Sequence, residues 1–300
     1  MAADPGEPTR ALVLGGGGLV GLGWQTGLLT GLREAGLDLS DAEVVLGTSA
    51  GSLVGALVAS RAGFAAGLTT LASVAEVMDS ATLAAGFKNF MTIVAKAGLD
   101  TDLRAGLVRI GEAAERADTM DERTYLSLFA EIADLPWPHS FHCTAIDAEN
   151  GELRVWGPES GVPLQKAVAS SCAVPMLYPP VSLDGRRYLD AVVVNHLNAA
   201  AAPPTDRMII MSSVPLSTTG PRPSPLMART ANRELATIGK TRWLATVEPR
   251  TRAQSGPTPN AMDLQLALEE YALGIRQAEH EADRLATVWT GQPPSARSCS

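Results

Sequence analysis

Apolar residues in this chain come either in short unbroken runs bounded by turn residues or in longer stretches at helical spacing. Ala11–Leu14 is the first run and predicts a buried strand. Four glycines, Gly15 to Gly18, interrupt it, and an apolar stretch at helical spacing follows to about Ala35, with Gly36 as a suitable stop. Glu43–Leu46 reads as a second strand, ending abruptly in Gly47-Thr48-Ser49-Ala50-Gly51, and Ser52–Ser60 as a helix apolar on nearly every side. Residues 62–135 read as helical throughout, with Phe87, Phe90, Met91 and Ile93 as one apolar concentration that is ordinary core, a cap over an apolar substrate tunnel or a surface that touches lipid. Pro136-Trp137-Pro138 then punctuates the chain. A hairpin follows over Phe141–Ile146 and Leu153–Trp156, turning at Asn150-Gly151. Leu164–Ser171 reads as a short helix, and a second hairpin, Val181–Leu183 and Arg186–Leu189, delivers Asp190 at its end. Arg207–Ser213 is a further buried strand, residues 215–226 and 249–261 read as loops, and Asn260 to about Ala286 forms a long last helix. Strands alternating with helices, with no internal repeat, predict an α/β domain over residues 10–290 between flexible tails at 1–9 and 291–300.

Composition narrows the function classes. A 300-residue chain that is 46% hydrophobic can bury one large core. A net charge of -8 and no basic run argue against nucleic acid as a partner. Cys143, Cys172 and Cys299 show no metal-ligand spacing, and a reducing, cytoplasmic setting is the simplest account of them. Ala11–Leu32 carries no charge and is long enough to span a membrane, but its glycines and Gln25 favour strand, turn and buried helix. Gly23, Gly27 and Gly31 share one face of that helix and would let it sit close on a sheet. Asp4 and Glu7 stand where a signal peptide would be basic.

Candidate chemistry concentrates where strands end. Gly47-Thr48-Ser49-Ala50-Gly51 fits G-x-S-x-G between an apolar strand and an apolar helix, the setting of a nucleophile elbow. The bland alternative is a serine cap in a tight turn. A strand–glycine turn–helix unit aims backbone N–H groups and a helix N-terminus at an anion. Gly16, Gly18 and Gly21 also fit the dinucleotide pattern G-x-G-x-x-G, but that pattern wants an acid closing the second strand, and Asp38 and Asp41 lie at its wrong end. Oxyanion donors from the first unit and a nucleophile from the second suit acyl transfer better. None of His139, His142, His196 and His280 stands where a Ser-His-Asp triad demands it, though His196 follows Asp190 by only six residues.

Three ordered motifs carry a family resemblance: Gly16-Gly17-Gly18-Leu19-Val20-Gly21, Gly47-Thr48-Ser49-Ala50-Gly51 and Asp190-Ala191-Val192. The approach Ala169-Ser170-Ser171-Cys172-Ala173-Val174-Pro175 adds to them, and together they resemble bacterial patatin-like phospholipases over about residues 10–215. The resemblance implies a three-layer α/β/α sandwich with a mainly parallel central sheet. It implies a Ser-Asp dyad of Ser49 and Asp190, with Gly47 and Gly51 framing the elbow and an oxyanion hole from the N–H groups of Gly16, Gly17 and Gly18. It implies a lipid or acyl-ester substrate, transient contact with a membrane surface, and no metal or organic cofactor. Val20 departs from the family's usual Arg or Lys, and Ala191 from its usual glycine, which would be strained if the backbone there needs a positive φ. A catalytically silent lipid-binding relative and a nucleotide-binding oxidoreductase are the competing classes.

Overall fold

A computed structural model describes residues 9–63, 65–98, 102–214, 216, 225–238, 243–250 and 261–292. The strands are β1 (Arg10–Leu14), β2 (Val44–Thr48), β3 (Phe141–Asp147), β4 (Leu153–Trp156), β5 (Val181–Leu183), β6 (Arg186–Asp190), β7 (Arg207–Met211) and β8 (Trp243–Val247). The helices are α1 (Gly18–Glu34), α2 (Ala50–Ser60), α3 (Ala65–Val77), α4 (Ser80–Ala97), α5 (Leu103–Glu115), α6 (Glu122–Ser127), α7 (Leu164–Ser171), α8 (Pro225–Ile238) and α9 (Leu264–Thr290).

One sheet runs in the order β5-β6-β3-β2-β1-β7-β8, with β4 beside β3. The pairs from β3 through β2, β1 and β7 to β8 are all parallel. Alternation along the strands divides the core. Leu12, Leu14, Val45 and Met211 pack with α1, α2 and α9, whereas Ala11, Val13, Leu46 and Ile210 pack with α8 and the 197–202 segment. Helices therefore cover both faces, as the α/β/α expectation requires.

Two expectations change. The glycine face of α1 does not rest on the sheet. A Cβ at Gly23 would strike the Ala267 carbonyl of α9, one at Gly27 the Tyr271 carbonyl, and one at Gly274 of α9 the Trp24 carbonyl of α1. The small residues let two helix backbones meet. The chain also contains α8 and β8, which hydrophobic patterning did not predict. Elsewhere the differences are of boundary: α9 starts at Leu264, with the Asp263 side chain accepting from the Leu266 N–H, and continues to Thr290. The predicted loops lie largely outside the described residues, as does all but Thr9 of the predicted N-terminal tail and all but Gly291 and Gln292 of the C-terminal one.

Register explains how the site forms. β4 occupies one edge of β3, so β2 and β6 share the other: Thr48 pairs with Thr144 and Asp190 with the next residue, Ala145. β2 runs parallel to β3 and β6 antiparallel to it, so their carboxyl ends meet head to head. Ser49 follows one end and Asp190 is the other.

Candidate active site

Ser49 sits at φ 55° and ψ -128°, a conformation unusual for a residue with a side chain. Its neighbours hold it there. The Ser49 N–H donates to Ser171 Oγ at 2.9 Å, and its carbonyl accepts from Ser52 Oγ at 2.6 Å and from Cys172 Sγ at 3.1 Å. Gly47 and Gly51 are glycines because backbone passes directly over them. A Cβ on Gly47 would meet Ser52, and one on Gly51 would meet the Leu14 carbonyl. The turn is thus a sharp strand-to-helix elbow, wedged against the end of β1.

Asp190 is 0% exposed and Ser49 4%. The Asp190 N–H donates to the Ala173 carbonyl, and Oδ1 accepts from the Val192 N–H at 2.9 Å. Burial pushes the carboxyl pKa up to about 7, against the opposing pull of hydrogen bonding from the Ser49 side chain and the Val192 backbone. Among the described residues Oδ2 has no partner at ordinary hydrogen-bond geometry. The serine interaction is therefore a loose one, as catalytic hydrogen bonds in free enzymes often are. Ala191, one of the two departures, lies outside the positive-φ residues, so alanine there carries no backbone strain.

The glycine loop is pinned from three sides. The Gly15 N–H donates to the Met211 carbonyl at 2.9 Å, and Gln25 Nε2 donates to the Gly15 carbonyl at 2.6 Å and to Ser213 Oγ at 2.8 Å. The Gly16 N–H donates to the His196 carbonyl at 2.7 Å. Gly16, the first of the three expected oxyanion donors, lies against Ser49 Cβ with its N–H engaged by that bond. Among the described residues the N–H groups of Gly17 and Gly18 have no acceptor, and neither has that of Ala50 at the start of α2. Sequence reasoning missed Ala50, although the residue after an elbow serine is a standard source of such a donor.

No histidine ring bonds Ser49. His280 and His139 are exposed and His142 is half-buried. His196 is buried, with Nε2 3.0 Å from Ser212 Oγ, and desolvation drives its pKa down to about 4, so the ring is neutral. It contributes to the site through its carbonyl on Gly16. Ser171 and Cys172 are the other contributors that were not singled out, and the Ser170-Ser171-Cys172 run was the available signal.

Ser49 opens into an apolar cavity of about 470 Å³, counted to its open mouth. Leu22, Leu53, Val74, Phe129 and Met262 supply much of the wall. From the helical segment expected as a possible cap, Thr70 and Val74 of α3 and Tyr125, Leu128 and Phe129 reach the cavity, while Phe87, Phe90, Met91 and Ile93 pack against the core instead. Among the described residues no cluster of three or more His, Cys, Asp or Glu could hold a metal, and no helix is long and apolar enough to cross a membrane. The dinucleotide reading gains nothing, since β2 closes in Thr48 and Ser49 rather than an acid.

No curated protein sequence matches the chain. Among solved structures it is similar to VipD from Legionella pneumophila, at 11% identity and a TM-score of 0.43 over 92% of this chain and 67% of that one. It is also similar to the type III effector ExoU, at 15% identity and a TM-score of 0.37 over 92% of this chain and 54% of that one. A third is full-length ExoU of Pseudomonas aeruginosa bound to SpcU, at 15% identity and a TM-score of 0.36, covering 90% and 53%. The chain spans about half the length of the ExoU chains. The family model of patatin-like phospholipases matches residues 12–203, a stretch that contains the glycine loop, the elbow, Ser171, Cys172 and Asp190. With more than half of its length matched, and the serine elbow and buried aspartate inside that stretch, the chain belongs to the patatin-like phospholipase family.

Proposed function

We propose that this protein is a serine-dependent lipid acyl hydrolase working through a Ser49–Asp190 dyad. Ser49 Oγ attacks the ester carbonyl carbon while its proton passes to Asp190. The N–H groups of Gly17, Gly18 and Ala50 receive the oxyanion, each such donor contributing about 2.7–4 kcal/mol in comparable sites. Asp190 returns the proton to the departing alcohol, leaving an acyl-serine. It then takes a proton from water, which attacks the acyl carbon, releases the fatty acid and restores Ser49. No step calls for a metal or an organic cofactor. The substrate is met at a membrane surface, only transiently.

The observation that carries this reading is the pairing itself. A strained serine stands beside a fully buried carboxylate with one unpartnered oxygen and a pKa raised to about 7. A carboxylate of ordinary pKa, about 4, is a weak base for an alcohol, and the raised value makes it a better one.

The test is fluorophosphonate labelling with mass mapping, run beside hydrolysis of p-nitrophenyl esters of several chain lengths. Label on Ser49, and loss of turnover in both Ser49→Ala and Asp190→Asn with a cooperative melt at or above the parent's temperature, are the expected results. Normal turnover by Ser49→Ala would sink the assignment. Folded protein that neither labels nor turns over would be a silent lipid-binding relative.

A further inference from the structure

The cavity beside Ser49 is apolar, and its few polar side chains are nearly all accounted for. Ser49 faces Asp190. Thr70 Oγ1 donates to the Ala66 carbonyl at 3.2 Å, Tyr125 Oη to the Ala169 carbonyl at 2.9 Å, and Cys172 Sγ to the Ser49 carbonyl. Tyr178 is the exception. It lines the same cavity at 5% exposure, stacked on Tyr125 with ring centroids 4.8 Å apart, and among the described residues its hydroxyl has no hydrogen-bond partner.

A donor without a protein partner in an apolar cavity becomes costly once a bound substrate displaces water from it, unless the substrate supplies an acceptor. Water entering the open mouth is the ready partner in the free protein, since the N–H groups of Gly18 and Ala50 on the same wall are also without an acceptor among the described residues, and a bound substrate must replace it. Burial, reinforced by the nearby Cys172, pushes the phenol pKa well up, so the group remains a neutral O–H and acts as a donor. The stack on Tyr125, whose own hydroxyl is tied to Ala169, fixes where that donor stands. What the site lacks is an acceptor oxygen.

We propose that the Tyr178 hydroxyl donates a hydrogen bond to an oxygen of the substrate when the ester carbonyl is seated at Ser49, making Tyr178 a specificity-determining residue. The inference rests on the acyl-ester reading of this site and adds a requirement to it: the substrate presents an acceptor oxygen to an otherwise apolar pocket. That oxygen is either the ester's own or a hydroxyl on the acyl chain. A site built to bond an oxygen discriminates against analogues lacking it far more strongly than an apolar pocket discriminates by size.

Tyr178→Phe keeps the ring and the stack and removes only the donor. We would compare it with the parent protein on p-nitrophenyl decanoate and on hydroxydecanoates whose hydroxyl is walked along the chain. The expected result is a drop in kcat/KM of about tenfold, the scale of one net hydrogen bond, with Tm unchanged. An equal drop on every ester assigns the bond to the ester's own oxygen. A drop confined to one hydroxylated member assigns it to the chain. Unchanged kcat/KM across the series, or a loss accompanied by a lower Tm, overturns the proposal. Calorimetric binding of the corresponding free acids to Ser49→Ala, with and without Tyr178→Phe, separates this inference from the hydrolase reading, since it needs no turnover. At least one acid binds about tenfold more weakly without the hydroxyl; if none does, the proposal fails whatever the enzyme assays show.

Discussion

At the scale of single residues, Asp190 sets the pH behaviour. As the proposed base it must be ionised, so kcat/KM should rise through an apparent pKa of about 7 and level off above it. A pH–rate profile with its ascending limb near the ordinary carboxylate pKa of about 4 would remove Asp190 from that role. The same shift makes a stability prediction. Between about pH 4 and about pH 7 the folded chain holds a proton on Asp190 that the unfolded chain has released, so stability falls as pH rises through that window. Asp190→Asn removes this loss, and should stabilise the protein at pH values above about 7 by up to on the order of 4 kcal/mol, with little effect in acid. His196 has the opposite sign. Its pKa is lowered to about 4, so its contribution is intact above the unfolded value of about 6.5 and is lost as pH falls toward 4. The two slopes oppose each other in the parent protein. Denaturant midpoints of Asp190→Asn against parent across the pH range isolate the carboxylate, and a constant difference would refute the assignment.

Elements show what a linear pattern can and cannot carry. The first strand, the glycine turn, the elbow and the hairpin ending at Asp190 were legible because each is bounded by its own turn residues and has its own apolar rhythm. α8 was not. It follows a stretch rich in Pro, Ser and Thr and buries one face, through Ala231, Leu235 and Ile238, so its apolar signal is thin. Nor could the Gly23-Gly27-Gly31 face name its partner: small residues announce a close approach, not what approaches. The same limit applied to the glycine loop, where the Gly16 N–H bonds a carbonyl far along the chain. The helix contact yields a direct test. Gly27→Ala puts a methyl group into the Tyr271 backbone of α9, which cannot move aside cheaply, and should cost about 3 kcal/mol. Gly67→Ala in α3 meets only the side chains of Thr26 and Leu57, no backbone, and should cost less. Equal thermal shifts in the two variants would show that the α1–α9 contact is looser than its geometry implies.

At the scale of the whole molecule, the site depends on parts that the family match does not reach. The matched stretch ends at residue 203, yet β7 pairs with β1 along its full length, from Arg10 opposite Arg207 to Leu14 opposite Met211. The carbonyl of Met211 holds the Gly15 N–H, Ser213 fills the space against Gly17 and Gly21, and the carbonyl of Ala261 accepts from the Val20 N–H. Met262 lines the cavity, and α9 covers α1, with Gln277 Oε1 accepting from the buried Trp24 indole. A chain ending at residue 203 would therefore leave β1 as an open edge and expose the glycine face of α1 and Trp24 to water. Burial of apolar surface is the main force holding a domain together, and folded domains are too marginally stable to lose it on that scale. Such a truncation should give no cooperative melt, lose near-ultraviolet dichroism and show no fluorophosphonate label on Ser49. Retained melting with lost labelling would mean that the last third shapes only the glycine loop and the cavity wall. Retained labelling would mean that the matched stretch builds the whole site by itself, and that the anchors from Met211, Ser213 and Ala261 are dispensable.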